Sequence, residues 1–192
     1  MEFGRLVRWL ILPAAVSLAT AAPSAAPSAA PSAAPSVAPD FTHRSASDWV
    51  NSRPLTLAGL KGKVVLVEFW AFKCVNCLNS IAWVKKLEES RGGSGLVVVG
   101  VHRPELAEEQ DPYAVRHAVA RLKIDNPVMI DADSTYWNAL HIQYWPTFCL
   151  IGRDGLLYGC APGETDIGDA HAVALERAVD ALLGAPGDSR RQ

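Results

Sequence analysis

Residues 63–77 read Lys-Val-Val-Leu-Val-Glu-Phe-Trp-Ala-Phe-Lys-Cys-Val-Asn-Cys, and this stretch decides the fold. Its first part, residues 63–70, is an almost unbroken run of β-branched and aromatic residues. Such a run predicts a strand buried on both faces of a parallel or mixed sheet. Apolar residues then recur at helical spacing over residues 78–89. The sequence therefore predicts a strand, a turn and a helix that meet at Cys74 and Cys77.

Further strands and helices alternate after the cysteines. The hydrophobic pattern predicts strands at residues 96–101 and 127–130, helices at 113–122, 134–140 and 170–183, and paired strands at 147–151 and 156–160. Gly152-Arg-Asp-Gly155, between the last two strands, is a strong hairpin signal. This alternation predicts an α/β fold, with a mixed central sheet and helices on both faces.

The composition is that of one globular domain with an extension. The chain has 192 residues, of which 49% are apolar and 20% charged, so a sizeable core can form. The 18 basic and 20 acidic residues give a net charge of −2. Because the basic residues are scattered along the chain, nucleic-acid binding has little support.

The first 39 residues are predicted to lie outside the globular domain. Residues 1–22 combine arginines, an apolar run and Ala19-Thr20-Ala21, which is the order of a secretory signal, and an uncleaved membrane anchor is the alternative. Residues 23–39 repeat Ala-Ala-Pro-Ser, which predicts a linker without a core of its own. The domain then covers residues 40–184, and residues 185–192 form a flexible tail. We expect an exported protein, located in the periplasm or another extracytoplasmic space.

The Cys74-Val-Asn-Cys77 motif carries the predicted chemistry. A thiol at the start of a helix lies beside free amides and the positive end of the helix dipole, which stabilise its thiolate. Cys74 is therefore the predicted nucleophile, with Lys73 adding a positive charge, and Cys77 is the predicted resolving thiol. Half a zinc ribbon has the same spacing, but the preceding strand and following helix favour a redox pair. The electrons reside in the two cysteines, so no organic cofactor is implied.

These features resemble the thioredoxin superfamily, in particular the extracytoplasmic thioredoxin-like domains of the TlpA/ResA and DipZ type. The resemblance covers about residues 50–183 and is most specific in residues 68–77, in Val99-Gly-Val-His-Arg-Pro-Glu105 and in Tyr144-Trp-Pro-Thr147. The Cys-Val-Asn-Cys and Val-His-x-Pro-Glu stretches look most like the DipZ group. The resemblance implies a thioredoxin-like fold with an inserted strand and helix after the cysteines.

The resemblance also implies how a substrate chain is held. Pro146 is implied to be a cis proline that faces the cysteines, with Trp145 and Thr147 beside it as substrate-binding residues. Taken alone, Trp-Pro-Thr could equally be the start of an ordinary strand. Gly163-Glu164-Thr165 falls where related DipZ-type domains have Gly-Glu-Gly, so the third glycine of that pattern is missing here.

Glu68 and Trp70 are the other predicted site residues. Glu68 lies six residues before Cys74, where thioredoxins carry a buried acid beneath the resolving cysteine. It is the only charge within an apolar strand, and a raised pKa would let it exchange protons with Cys77. An edge-strand glutamate that reaches solvent is the alternative. Trp70 is predicted to shield the disulfide and to take part in substrate binding, with a plain core residue as the alternative.

Two more cysteines, Cys149 and Cys160, lie on the predicted hairpin strands and depart from the family pattern. If Ile151 opposes Leu156, then Cys149 opposes Tyr158 and Cys160 lies diagonally on the same face. This register makes a disulfide possible, and two buried thiols are favoured.

No metal site is predicted from the histidines. His102 follows a strand and is expected to be an ordinary polar residue of a loop. The other four show no metal-ligand spacing: His43, His117, His141 and His171.

The sequence thus predicts an exported thiol-disulfide oxidoreductase. Its substrates would be cysteine pairs in other extracytoplasmic proteins, including apocytochromes if the TlpA-like resemblance extends to cytochrome c biogenesis, and a second redox protein would recycle it. A copper-binding or copper-delivery module with the same two thiolates is the alternative, although such chaperones tend to have three residues between the cysteines and an added histidine. A peroxide-reducing enzyme ranks lower, because its site has Thr/Ser-x-x-Cys without the vicinal pair.

Overall fold

The computed structural model describes residue 1 and residues 34–184. The predicted signal segment, most of the predicted linker and the predicted tail at 185–192 lie outside the described residues. Within the described part of the chain, no helix has the length and apolar character needed to cross a membrane.

A seven-stranded mixed sheet organises residues 34–184. Its strands are β1 Ser36–Val37, β2 Trp49–Val50, β3 Val64–Trp70, β4 Leu96–His102, β5 Val128–Ile130, β6 Thr147–Ile151 and β7 Leu156–Pro162. The helices are α1 Val75–Arg91, α2 Pro112–Arg121, α3 Thr135–Ala139 and α4 Ala170–Gly184. The strand order is β1-β7-β6-β3-β4-β5-β2, with β3, β4 and β5 parallel and the other neighbours antiparallel.

The predicted fold class is confirmed, with an α/β sheet covered on both faces. All of the long predicted elements are present, and their ends differ by up to three residues. The largest shift is at α1, which begins at Val75 instead of Leu78. Strands β1 and β2 are two residues long, too short to produce a periodic signal, and the sequence did not predict them.

The central strand β3 separates two hydrophobic cores, and all seven of its residues are buried. Val67 and its alternate neighbours pack on one face of the sheet against Tyr136 of α3. Leu66 and its alternate neighbours pack on the other face against Trp83 of α1 and Leu175 of α4. This two-sided burial explains why the strand reads as a continuous apolar run.

Residues 36–39 belong to the fold, although the sequence placed them in the linker. Ser36 and Val37 form β1 and pair antiparallel with β7. Ala38 is buried in the same core as Phe41. The packed chain therefore begins before Asp40, because these residues add a strand to the free edge of β7.

The predicted hairpin is confirmed, but its predicted register is wrong. Cys149 pairs directly with Cys160, because the register shifts at Leu150 and Ile151 and leaves Tyr158 without a partner in the ladder. The two cysteines form a disulfide with a Cα–Cα distance of 4.0 Å. The expectation of two buried thiols is therefore wrong. Cys149 is buried in the core, whereas Cys160 is exposed.

Candidate active site

The candidate site lies where the parallel strands β3 and β4 end. Trp70 and His102 are the last residues of these strands and are paired in register. The chain then turns at residues 71–73 and enters α1, for which Cys74 is the N-cap residue. The site is thus built where a buried strand, a short turn and a helix N-terminus meet.

Cys74 and Cys77 form a disulfide across the first turn of α1, with a Cα–Cα distance of 5.2 Å. The Cys77 amide donates a hydrogen bond of 3.3 Å to the Cys74 sulfur, which therefore faces the positive end of the helix dipole. Cys77 lies on the buried face of α1 and has no exposed surface, whereas Cys74 is 8% exposed. Solvent therefore reaches part of Cys74 but none of Cys77.

Glu68 is buried in the middle of β3, between Gly100 of β4 and Phe148 of β6. It is 6% exposed, and its Oε1 atom has no hydrogen-bond partner. Desolvation raises the pKa of this carboxyl to about 8, since the charged form loses its hydration. Glu68 lines a small cavity with Ile81, which lies one helical turn after Cys77.

Trp70 belongs to the same buried cluster as both cysteines and is 2% exposed. A side chain with so little exposed area offers a substrate chain very little surface. Its indole Nε1 would lie 3.1 Å from a Cβ atom at Gly100, so a larger residue in β4 would have to displace the indole by a few tenths of an ångström.

The loop before β6 contains the cis peptide bond Trp145–Pro146. Trp145 is half-buried and packs against the cluster that contains both cysteines. Pro146 and Thr147 are buried; the Thr147 hydroxyl donates to the Tyr144 carbonyl at 2.7 Å, and the Pro146 carbonyl accepts from the Gly163 amide at 2.9 Å. Of the residues next to the cis bond, Tyr144 is exposed and Trp145 is half-buried, so both present side-chain surface there.

The sequence did not point to Arg103, which braces the cis-proline loop. Its guanidinium carbon lies 4.8 Å from the ring centre of Trp145 and 5.0 Å from that of Trp137. Trp145 Nε1 in turn donates to the Arg103 carbonyl at 3.1 Å. Arg103 lies in the Val-His-x-Pro-Glu stretch, but nothing in that pattern indicates stacking.

The Gly163-Glu164-Thr165 segment is anchored to α1. Thr165 is buried, and its amide donates to Ser80 Oγ at 3.0 Å. Glu164 Oε1 accepts from Asn79 Nδ2 at 2.8 Å. Positive φ values among these three residues are confined to Gly163, at 128°. A threonine in the third position therefore fits without left-handed backbone.

His102 is buried, which corrects the expectation of a polar loop residue. It has no exposed surface, it stacks on Phe72 with ring centres 5.4 Å apart, and the Trp70 ring meets it edge-on. Neither ring nitrogen has a hydrogen-bond partner. Desolvation lowers the pKa of His102 to about 4, although Glu109 partly opposes this shift.

Glu109 is a second buried acid near the cysteines, and the sequence did not indicate it. Its Oε1 atom accepts a 2.8 Å hydrogen bond from the Lys73 amide, and its Oε2 atom accepts 2.9 Å bonds from the amides of Glu105 and Leu106. His102 Nε2 lies 4.0 Å from the same Oε1 atom. A glutamate in a polar stretch carries no periodic signal of burial, so sequence reasoning could not find it.

His43, Asp131 and Asp133 form the grouping of potential metal ligands in the described part of the chain, with ligand atoms within 4.8 Å of one another. The Asp131 oxygens already accept amide hydrogen bonds from Tyr136 at 3.0 Å and Trp137 at 2.8 Å. Burial raises the pKa of Asp131. Asp131 therefore caps the first amides of α3, and His43 lies beside it.

The central strand β3, the Cys74–Cys77 disulfide in the first turn of the following helix and the mixed sheet are those of a thioredoxin-like fold with a Cys-x-x-Cys pair. The Redoxin family matches residues 32–166, and the chain belongs to this family. The predicted resemblance to thioredoxin-like proteins is therefore confirmed.

Two relatives illustrate the similarity. SUPPRESSOR OF QUENCHING 1, a chloroplastic protein of Arabidopsis thaliana, is 38% identical over 68% of this chain. Protein DipZ of Mycobacterium bovis is 34% identical over 73% of this chain. The matches cover only 13% and 21% of the two relatives, so this chain corresponds to a small part of each.

A solved structure of a thiol:disulfide interchange protein of the thioredoxin family from Chlorobium tepidum shares the fold. Its TM-score is 0.62, with 24% identity, over 79% of this chain and 99% of that one. At this level of identity the likeness concerns the fold alone, and it agrees with the predicted thioredoxin-like architecture.

Proposed function

We propose that the chain exchanges disulfides with cysteine pairs of extracytoplasmic proteins, and that Cys74 is the attacking thiol. The supporting observation is the asymmetry of the pair: Cys74 caps the helix and has exposed surface, while Cys77 is completely buried. A thiolate at this position is stabilised by the helix N-terminus.

The exchange balances in two steps. In the reduced protein, the Cys74 thiolate attacks a substrate disulfide, forms a mixed disulfide and releases one substrate thiolate. Cys77 then loses its proton and attacks the Cys74 sulfur, which closes the Cys74–Cys77 disulfide and releases the second substrate thiolate. Two electrons pass from the protein to the substrate, and the reverse sequence oxidises a substrate dithiol.

Glu68 is proposed to exchange the Cys77 proton. With a pKa of about 8, Glu68 is mostly protonated at neutral pH and can return a proton to the Cys77 thiolate when the disulfide is reduced. Its ionised fraction, which grows as the pH approaches 8, can accept the Cys77 proton when the disulfide closes. It lies beneath α1 with Ile81, one turn from Cys77, where bulk water has little access. Loss of a positioned acid–base group of this kind slows turnover by about 10²-fold or more.

The substrate chain is proposed to lie along the cis-proline loop. Trp145 supplies apolar surface beside the cysteines, while Pro146 and Thr147 shape the backbone of the loop from within. Trp70 is proposed to act from below by shielding the disulfide.

Two observations support an extracytoplasmic location. The first 22 residues have the order of a secretory signal or an N-terminal membrane anchor. The Cys149–Cys160 disulfide lies outside the redox pair, and stable disulfides of this kind form in oxidising compartments. A second redox protein is proposed to restore Cys74 and Cys77 after each turnover.

A trapping experiment tests the roles of the cysteines. Reduced Cys77→Ser protein, mixed with a small protein that has one exposed disulfide, should accumulate a mixed disulfide at Cys74, because no resolving thiol is present. The matched Cys74→Ser protein should trap almost nothing. More trapping by Cys74→Ser would reverse the roles. One equivalent of tightly bound copper together with no disulfide exchange by the wild type would favour the metal-delivery alternative.

A further inference from the structure

The turn that leads into Cys74 is held by a buried carboxylate. Glu109 lies in the 3-10 turn Ala107–Gln110 and has no exposed surface. Its Oε1 atom accepts the Lys73 amide at 2.8 Å, and 36 residues separate the two in the chain. Since Lys73 immediately precedes Cys74, this hydrogen bond constrains the Phe72–Lys73 peptide, one residue before the reacting sulfur.

The Glu109 carboxylate accepts three amide hydrogen bonds and, among the residues that the structure describes, forms no ion pair with a lysine or arginine. Besides Lys73, the amides of Glu105 and Leu106 donate to Oε2, each at 2.9 Å. Three amide donors to one carboxylate suit the ionised form. His102 is the titratable neighbour, 4.0 Å away, and its pKa of about 4 leaves the ring neutral at pH 7. The negative charge of Glu109 is therefore not cancelled by His102.

The adjacent residue provides a natural comparison. Glu108 binds the same lysine through the side chain, with Glu108 Oε1 2.8 Å from Lys73 Nζ, and this pair is exposed to solvent. Glu109 binds the backbone of Lys73 in the interior. Two neighbouring carboxylates thus contact one residue, but water screens only one of them.

We propose that Glu109 is a positioning residue for disulfide exchange: it fixes the Phe72–Lys73 peptide, which leads directly into Cys74, and keeps a carboxylate against the turn that carries the reacting sulfur. This inference rests on the proposed function, in which Cys74 is the attacking thiol. A fixed negative charge opposes formation of the thiolate, so Glu109 would hold Cys74 less acidic than the helix N-terminus alone would make it. Glu109 would thus hold the Cys74 sulfur in place and also keep the Cys74 thiol less acidic.

Several other charged and titratable groups lie on this turn or on the elements around it. They are Glu68, Lys73 and Cys77 on the β3–α1 segment, His102 and Arg103 at the end of β4, Glu108 in the 3-10 turn, and Glu164 after β7. Because all of them except the substituted residue are common to wild type and variants, differences in the titration of Cys74 report on the substitution.

The test is the pH profile of iodoacetamide alkylation of Cys74 in the reduced full-length protein, with mass spectrometry to assign the site. Glu109→Gln should lower the midpoint by about one pH unit, because a nearby unscreened negative charge is removed. The matched Glu108→Gln variant should shift it by less than about 0.3 unit, because that charge is exposed. Glu109→Asp keeps the charge but shortens the side chain, so the midpoint should stay near wild type while kcat of exchange falls several-fold.

The outcomes separate this inference from the proposed function. If reduced Cys77→Ser traps no mixed disulfide at Cys74, the proposed function fails. If Cys74 is trapped as proposed but folded Glu109→Gln and Glu108→Gln have the same alkylation midpoint, the role of Glu109 is refuted. Should Glu109→Gln not fold, the aspartate variant decides, because a wild-type midpoint together with a wild-type kcat contradicts positioning.

Discussion

Replacing Glu68 with glutamine should make the protein more stable at neutral and alkaline pH while it slows exchange. The side chain is buried in the central strand, its Oε1 atom lacks a hydrogen-bond partner, and desolvation alone accounts for its raised pKa. Glutamine has nearly the same volume and carries no charge. The substitution therefore removes the cost of ionising a buried carboxyl without leaving a cavity.

The magnitude follows from linkage between protonation and folding. The pKa of Glu68 is about 8 in the folded protein against a reference value of 4.5. Between these values the folded state keeps a proton that the unfolded chain has released, so the free energy of unfolding decreases as the pH rises. At about 1.4 kcal/mol per pH unit, wild type should lose about 4 kcal/mol between pH 5 and pH 9 through Glu68.

Urea unfolding of the oxidised proteins at pH 5, 7 and 9, followed by tryptophan fluorescence, measures this difference. Glu68→Gln should be within about 1 kcal/mol of wild type at pH 5 and about 3 kcal/mol more stable at pH 7. The exposed Glu108→Gln variant serves as the control and should follow wild type across this range. Parallel pH curves for wild type and Glu68→Gln would refute the buried-acid argument, and an unchanged exchange rate from pH 6 to 9 would remove Glu68 from the mechanism.

Three other perturbations test the packing around the site. Because the buried His102 ring resists protonation, wild type should lose about 3 kcal/mol of unfolding free energy between pH 6.5 and pH 4 through this residue. His102→Phe should abolish this loss, and urea titrations at both pH values measure it. Removing the second disulfide by Cys149→Ala with Cys160→Ala should cost about 3 kcal/mol in thermal unfolding, for a loop with a sequence separation of 11, and an unchanged Tm would contradict this. Gly100→Ala should cost about 1–3 kcal/mol, because the added Cβ meets Trp70; a stability equal to wild type would show that the indole moves freely.

The position of the redox pair was predictable because its signals are local. The apolar run before Cys74 can be buried only as a central strand, and the periodic residues after Cys77 form one face of a helix. The cis Pro146 and the buried Glu68 followed from the resemblance, and the structure has both features.

Features that depend on contacts between separate segments of the chain became visible only in the folded structure. The register shift that joins Cys149 to Cys160 arises within a hairpin whose turn residues alone did not reveal it. Strand β1 forms only because β7 has a free edge for it to pair with. His102 and Glu109 look like ordinary polar residues in the sequence, and only the folded chain encloses them beneath Phe72 and Lys73.

The α/β alternation and the position of the Cys74–Cys77 pair could thus be predicted from the sequence, since hydrophobic periodicity acts over a few residues. The folded structure decided which polar groups lose their water. Burial is a property of the whole packed chain, and it sets the pKa values of Glu68 and His102. The hydrogen bond from the Lys73 amide to Glu109 joins residues that are 36 positions apart, so the sequence around either residue does not predict it.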